Sequence, residues 1–289
     1  MTILASELIL NPDGSIYHLG IKPEDLADTV IVVGDPGRVP TISRHFNKIE
    51  IKKNKREFCT HTGFYKSKRI TVMSTGMGTD NIDIAFTELD ALKNINFSTR
   101  RIKEEQSSLE IIRIGTTGSL QKNIPVDSFV ASEYGLGLDG LMHFYNSEHI
   151  FEKEIADEFV RQTGWSTKKA YPYVVKGDGS LLEKFMSPEV NKGLTATNCG
   201  FYGPQGRVLR LGIPDPDMND KIAAFSFQNK VVTNFEMETS AIYGMSKLLG
   251  HRALSMNAVI ANRATGNFSS DPKKVVANLV NYCLEKLAS

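Results

Sequence analysis

The sequence has little of several things that mark other protein classes. Three cysteines (Cys59, Cys199, Cys283) stand among 289 residues, with neither Cys-x-x-Cys spacing nor nearby paired histidines. That odd, scattered set argues against a disulfide scaffold and a zinc site and predicts reduced thiols packed as small buried or half-buried side chains. Charge of either sign is not in excess: 34 Lys and Arg against 33 Asp and Glu leave a net charge of +1. No broad field exists to gather nucleic acid or an anionic membrane, so any bound anion has to be gripped locally. No apolar run approaches the ~20 residues that span a bilayer. The opening Met1-Thr-Ile-Leu-Ala-Ser-Glu7 lacks a basic region, and a cytoplasmic location is expected. No internal repeat is visible. No Gly-x-Gly-x-x-Gly directly follows the first apolar strand, which argues against a dinucleotide-dependent oxidoreductase.

What is present is an alternation of short apolar runs with helical patterns. The composition, 41% apolar and 23% charged, is ample for a substantial core, and one domain over residues 1–289 is expected. Segments 30–33, 70–73, 110–114, 128–131 and 253–260 read as strands, several too uniformly apolar to have a wet face. The sheet is therefore expected to be covered on both sides. Helical patterns cover 80–93, 152–163, 235–249 and the last stretch, where Asp271 can cap, Pro272 suits the first turn, and Val276, Leu279, Val280, Cys283 and Leu287 form a stripe. Segment 94–110 is densely charged and reads as a solvated excursion. Residues 198–220 hold four glycines and three prolines with little periodicity. A structureless loop that long is often functional.

Three apolar strands end in small or polar residues: Gly34-Asp-Pro-Gly-Arg38, Ser74-Thr-Gly-Met-Gly78 and Arg113-Ile-Gly-Thr-Thr-Gly118. Ligands of open α/β sheets bind at the carboxyl ends of strands, so these three ends can line one cleft. Gly34 lets backbone N–H groups approach an oxyanion, and Arg38 can fork two donors onto it. Arg113 interrupts an apolar run, and a buried guanidinium needs either a bound anion or an acidic partner. Thr233 and Glu236 fit a capping box. Glu238, at helical spacing from Ile242, Met245 and Leu249, heads an apolar stripe; a carboxylate facing a cleft can accept hydrogen bonds from the vicinal hydroxyls of a sugar, although the spacing also allows surface exposure.

In order and context these segments resemble the nucleoside phosphorylase family, and within it the uridine-cleaving branch. The resemblance is carried by Tyr17-His-Leu-Gly20, Gly34-Asp-Pro-Gly-Arg38, Arg56-Glu-Phe58, Ser74-Thr-Gly76, Arg113-Ile-Gly-Thr-Thr-Gly118, Leu138-Asp-Gly140, Phe201-Tyr-Gly-Pro-Gln-Gly-Arg207, Phe235-Glu-Met-Glu238 and Val259-Ile-Ala-Asn-Arg263, nearly the whole chain. It implies a three-layer α/β/α sandwich with a central mixed, partly closed β-sheet, a homodimer as minimal unit and commonly a homohexamer. Phosphate would be held by Gly34, Arg38, Arg113 and Thr116, with Arg56 from a neighbouring subunit. Met237 and Glu238 would contact ribose, His18 of the neighbour would reach the 5′-hydroxyl, Phe201 would pack on the base, and Gln205 and Arg207 would bond its edge. Arg113, Thr116, Glu238 and Arg207 are thus the expected catalytic set. Without the resemblance, Arg56 in the basic run Lys52-Lys-Asn-Lys-Arg56 reads as a solvated face and His18 as a surface residue.

The implied reaction is phosphorolysis of a pyrimidine nucleoside, uridine and phosphate giving uracil and ribose 1-phosphate, with phosphate as co-substrate and no resident cofactor or metal. The resemblance also implies a monovalent cation near Glu57, whose usual serine partner is Asn81 here. Two further departures are the long 94–110 excursion and the order Gly203-Pro-Gln, the reverse of the usual Pro-Gly before the glutamine. The purine branch of the family carries an acidic residue where this chain has Asn262-Arg263. A purine-cleaving enzyme and a catalytically silent nucleoside-binding protein are the alternatives.

Overall fold

The computed structural model describes residues 2–289. In chain order the elements are β1 (Thr29–Val33), α1 (Arg38–Ser43), β2 (Lys48–Lys55), β3 (Phe58–Tyr65), β4 (Lys68–Ser74), α2 (Thr79–Asn94), β5 (Ile95–Asn96), β6 (Arg101–Ile102) and β7 (Glu110–Ser119). There follow β8 (Phe129–Gly137), α3 (Lys153–Thr163), β9 (Tyr173–Lys176), α4 (Gly179–Phe185), β10 (Val190–Thr197), α5 (Met218–Ala224), β11 (Ser226–Phe227), β12 (Lys230–Glu236), α6 (Thr239–Leu248), β13 (Arg252–Asn262), β14 (Asn267–Phe268) and α7 (Pro272–Ala288).

The main sheet runs β11-β12-β10-β8-β13-β7-β1-β4-β3-β2, and β12 also pairs with β7. That extra pairing, Phe235 opposite Gly118 and Asn234 opposite Ser119, closes β12, β10, β8, β13 and β7 into a ring while β1, β4, β3 and β2 extend from it. The expected mixed, partly closed sheet is what forms. Both faces are covered because alternate side chains of β1 leave in opposite directions. Val30 and Val32 join the core under α2 and α6, with Ile82, Phe86 and Tyr243. Ile31 and Val33 join the core under α1, α4 and α7, with Ile42, Phe185, Leu279 and Cys283. The last helix starts as its sequence dictates: the Asp271 carboxylate accepts the Lys274 N–H at 3.0 Å and Pro272 occupies the first turn.

Three expectations are corrected. The helix expected over 235–249 begins at Thr239, since Phe235 and Glu236 end strand β12. Thr233 is therefore no capping residue; its hydroxyl donates to Leu194 O in the neighbouring strand. Segment 94–110 is not merely solvated: β5 and β6 form a hairpin, and the Arg100 guanidinium donates to Ile3 O and Leu4 O at 2.9 Å, tying the N-terminal segment down. Of the three free thiols, Cys283 is buried and Cys59 half-buried as expected, but Cys199 is exposed. No helix among the described residues is long and apolar enough to cross a membrane.

Candidate active site

The ends of β1, β4 and β7 meet at one cavity of about 760 Å³, within the usual range for small-molecule sites. Gly34, Gly76 and Gly115 through Gly118 border it, as the three strand endings predict. Helix α1 starts after a four-residue turn from β1 and carries Arg38 to the cavity, where its Nη1 donates to Ile114 O at 3.1 Å. Burial first, and then the positive charge of Arg113, hold the Arg38 guanidinium below its ordinary pKa. Asp35 and Glu238 act in the opposite sense, so the demand of the two arginines for negative charge is partly met within the chain. Thr116 borders the same cavity, while its neighbour Thr117 donates inward to Phe235 O at 2.6 Å.

Arg113 is buried and its environment is built for it. Nη2 lies 2.6 Å from Glu238 Oε2 and 3.1 Å from Glu236 Oε2, and Nη1 donates to Asn257 Oδ1 at 2.6 Å. Burial disfavours its charge, but the two carboxylates outweigh that and raise its pKa. Gly115 makes the space, because a Cβ there would sit 1.9 Å from Arg113 Nη1. Glu238 precedes α6, and its Oε1 accepts the Gly78 N–H at 2.8 Å, linking the β4 ending to β12. Glu236 takes the N–H groups of Glu238 and Thr239, each at 2.9 Å, and the Thr197 hydroxyl at 2.6 Å. The Glu236-Met237-Glu238 turn is thereby fixed from below, and burial raises the Glu236 carboxyl above its ordinary value despite Arg113.

Loop 198–217 contributes Phe201, Gln205 and Arg207 to the same cavity. Arg207 lies 3.7 Å over the Phe201 ring and donates from Nη1 to Phe201 O and Gln205 Oε1, both at 2.6 Å. The turn depends on Gly206, which has φ +68 and whose Cβ would meet the Asn219 amide at 2.3 Å; that amide instead donates to Gln205 O. Gln205 is buried, whereas Phe201 is half exposed.

The structure thus brings Gly34, Arg38, Arg113, Thr116, Met237, Glu238, Phe201, Gln205 and Arg207 to one cavity. Glu57 and Asn81 border it too, beside Gly76, and Asn81 donates to Met77 O at 3.2 Å. Arg56 and His18 do not reach it. Arg56 is exposed in the β2–β3 turn with φ 54, and His18 is half-buried with Nδ1 2.7 Å from Glu88 Oε1. Sequence reasoning missed the roles of Ser255 and Asn257, which hold Arg113, of the Glu236 clamp, and of Phe268 on the rim; close by, the Arg263 guanidinium lies 5.7 Å from the Phe235 ring with Nη1 buried and unpartnered. Ser255 and Asn257 are polar residues in an apolar strand, the same signal that exposed Arg113.

Comparison with known proteins matches residues 28–287 to a family model described as the phosphorylase superfamily. Uridine phosphorylase of Thermococcus kodakarensis is 29% identical over 286 residues, spanning 96% of this chain and 88% of the relative. A DeoD-type purine nucleoside phosphorylase of Listeria welshimeri is 25% identical over 254 residues, spanning 88% of this chain and 90% of the relative. Among solved structures, a Trypanosoma brucei nucleoside phosphorylase, described as showing uridine phosphorylase activity, superposes with a TM-score of 0.87 at 31% identity over 98% of this chain and 99% of its own.

Proposed function

Because the chain belongs to the phosphorylase superfamily, we propose that it cleaves a pyrimidine nucleoside with inorganic phosphate, uridine first, giving uracil and ribose 1-phosphate. The observation that carries the reading is the set of groups that share one cavity: Arg38, Arg113 and Thr116, Glu238 bonded to Arg113, and Phe201, Gln205 and Arg207 joined in one loop turn. Those three groups suit phosphate, ribose and base. Phosphate is the co-substrate, and the chemistry needs only it and the nucleoside.

In this reading a phosphate oxygen forms a bond to C1′ as the C1′–N1 bond breaks, and the bonding electron pair passes into the uracil ring. The sugar gains positive character, which phosphate below it compensates, while the departing base gains negative charge. Arg38 and Arg113 orient the phosphate. Glu238 accepts hydrogen bonds from the ribose hydroxyls, exchanging part of its bond with Arg113 for them, and Met237 packs on the sugar. At the base, Gln205 Oε1 is occupied by Arg207, so the glutamine presents its amide N–H groups and the arginine its remaining donors. Two donors suit the carbonyls of uracil; adenine has none to offer them. Near the strand end where the purine branch carries an acid, this chain has Asn262-Arg263, neither of them acidic, and the Asn262 side chain is used on Gln121 O, Ile124 O and the N–H groups of Ala264 and Thr265. That supports the pyrimidine over the purine assignment.

Arg56 and His18 lie outside their own chain's cavity, so the reading includes a homodimer in which each subunit completes the other's site, assembled further into a hexamer. Asn81 spends its amide nitrogen on Met77 O, which leaves its Oδ1 beside Glu57 as an oxygen ligand for a monovalent cation. We also assign residues 1–289 to one functional unit in a reducing, cytoplasmic setting.

Phosphate-dependent release of free base from uridine, thymidine, inosine and adenosine tests the substrate. Uridine is expected to have the highest kcat/KM, and a preference for inosine would overturn the pyrimidine assignment while keeping phosphorolysis. Release of no base at all would make the chain a binding protein. Mixing inactive Arg56→Ala and Glu238→Ala chains is expected to restore activity, since a mixed dimer has one site free of both lesions. No recovery after verified subunit exchange would refute the shared site.

A further inference from the structure

Behind the base end of the site lies a second cavity of about 420 Å³. Its body is apolar, with Leu138, Trp165, Pro204, Ile213 and Met218 among the walls. One cation faces it. Lys169 Nζ lies 4.2 Å from the Trp165 ring centroid and 3.1 Å from Met218 Sδ; it makes no direct ion pair among the described residues, although its charge is felt at Asp215. The two acids on the walls are already engaged. Asp215 is held by Lys221 Nζ at 2.9 and 3.0 Å, and Asp139 accepts the Tyr173 hydroxyl at 2.9 Å, the Ser240 hydroxyl at 2.9 Å and the Leu141 N–H at 2.8 Å. A largely apolar cavity with one ammonium on its wall that lacks a direct ion pair is complementary to a small apolar molecule bearing a negative charge.

We propose that this cavity is a binding site for a small apolar carboxylic acid, its carboxylate on Lys169 and its body against Trp165, Ile213 and Met218, and that its occupancy is coupled to the base site. The coupling follows from one shared wall. Gly203 and Pro204 line the second cavity, whereas Phe201, Gln205 and Arg207 of the same turn line the first. Pressing on Pro204 moves the backbone that aims Gln205. The wall has little slack, since a Cβ on Gly200 would already sit 2.9 Å from the Pro204 ring. A ligand that favours one setting of the turn must change the affinity for the base, and the base must change the affinity for the ligand by the same factor.

Trp165 is the one tryptophan in the sequence, so its fluorescence reports this cavity directly. The probe is 4-phenylbutyrate, with its neutral amide as control, titrated into the intact assembled protein without any turnover; this arm stands whatever base the enzyme prefers. A saturable change is expected, with the amide and the Lys169→Gln variant each about tenfold weaker through loss of one charge-assisted contact. Uracil affinity, measured calorimetrically, is expected to shift about fivefold or more at saturating 4-phenylbutyrate in the wild type and to stay constant in Lys169→Gln. Lys169→Gln itself is expected to retain basal nucleoside cleavage. A non-saturable response, equal affinities for acid and amide, or simple displacement by uracil with no dependence on Lys169 would overturn the site. Unchanged uracil affinity at saturation would overturn the coupling.

Discussion

The two ends of the cavity are built on opposite principles. At the end proposed to hold phosphate and ribose, Arg113, Glu236 and Glu238 are all buried, and each is held by groups from several strands. At the end proposed for the base, Phe201 and Arg207 rest largely on one turn of one loop and on each other. On the proposed reading, reaction chemistry common to all substrates sits in the part that cannot relax, and the part that selects a substrate sits where side chains can change without disturbing the core. Stability and activity should therefore be coupled at one end and separable at the other.

The largest effect is expected from Arg113→Ala. Removing the guanidinium leaves two carboxylates buried without their cation, which costs about 3–5 kcal/mol in comparable buried pairs. Losing a group that stabilises developing charge lowers turnover by about a hundredfold or more. Urea denaturation and phosphate-dependence of the rate would read both, and a variant inactive but as stable as wild type would break the coupling claimed here. Gly115→Ala is next: its methyl displaces the Arg113 guanidinium without removing the charge. A rise in KM for phosphate of about tenfold is expected from one impaired charged contact, and unaltered phosphate kinetics would refute the close fit.

Arg207→Ala tests the other end. Uridine kcat/KM should fall about tenfold to a hundredfold, while stability moves by no more than about 0.5 kcal/mol because the residue lies outside the core. A large loss of stability would erase the distinction between the two ends. The smallest effect is expected at the opposite end of β7, where burial pushes the Glu110 carboxyl up but Lys68 at 2.8 Å and Arg252 at 3.1 Å outweigh it and hold it below the ordinary carboxylate range. A carboxylate with a depressed folded pKa contributes stability above its unfolded value, about 4.3 for glutamate, and loses it as pH falls through the folded value. Glu110→Gln should therefore be less stable than wild type at neutral pH by about 1 kcal/mol at most, and the two melting curves should converge in acid. A gap independent of pH would remove the assignment.

The strands visible in the sequence were those whose both faces meet apolar layers, such as Val30 to Val33. Strands β10 and β12 escaped because the inside of the closed ring is polar: the Ser132 and Thr195 hydroxyls bond at 2.5 Å, Thr195 donates to Asn234 Oδ1 at 2.9 Å, and Asn234 donates to Thr117 at 2.8 Å. Side chains that satisfy one another leave no hydropathy signal. Edge strand β2 escaped for a different reason, its lysines serving as the charge that keeps an open edge from pairing. The site was legible where glycine or a lone charge broke an apolar run, as at Gly34, Gly115 and Arg113. It was illegible where position depends on a distant loop or, on the proposed reading, on another subunit. Nothing local distinguishes Gln205 and Arg207 from ordinary loop residues, or Arg56 from its lysine neighbours. Glu238 was singled out for the wrong reason: it stands just before α6, where Gly78 and Arg113 meet it, and not on an apolar stripe of the helix.

The position of β13 has a consequence for biosynthesis. It lies between β7 and β8 and pairs with both, parallel to the first and antiparallel to the second, yet it is among the last strands to be made. A chain growing on the ribosome completes β7 and β8 more than a hundred residues before the strand that separates them exists. Until then the edges of β7 and β8 that later receive it have no native partner there, and the seam between β12 and β7 lacks its neighbour. Such edges are where extended chains stick to one another, so crowding of nascent chains on one message threatens yield more than the stability of the finished protein does. Slow translation of the stretch after β8 would lengthen that exposure, and the first moment at which Arg113 can meet Asn257 is also the moment at which the danger ends.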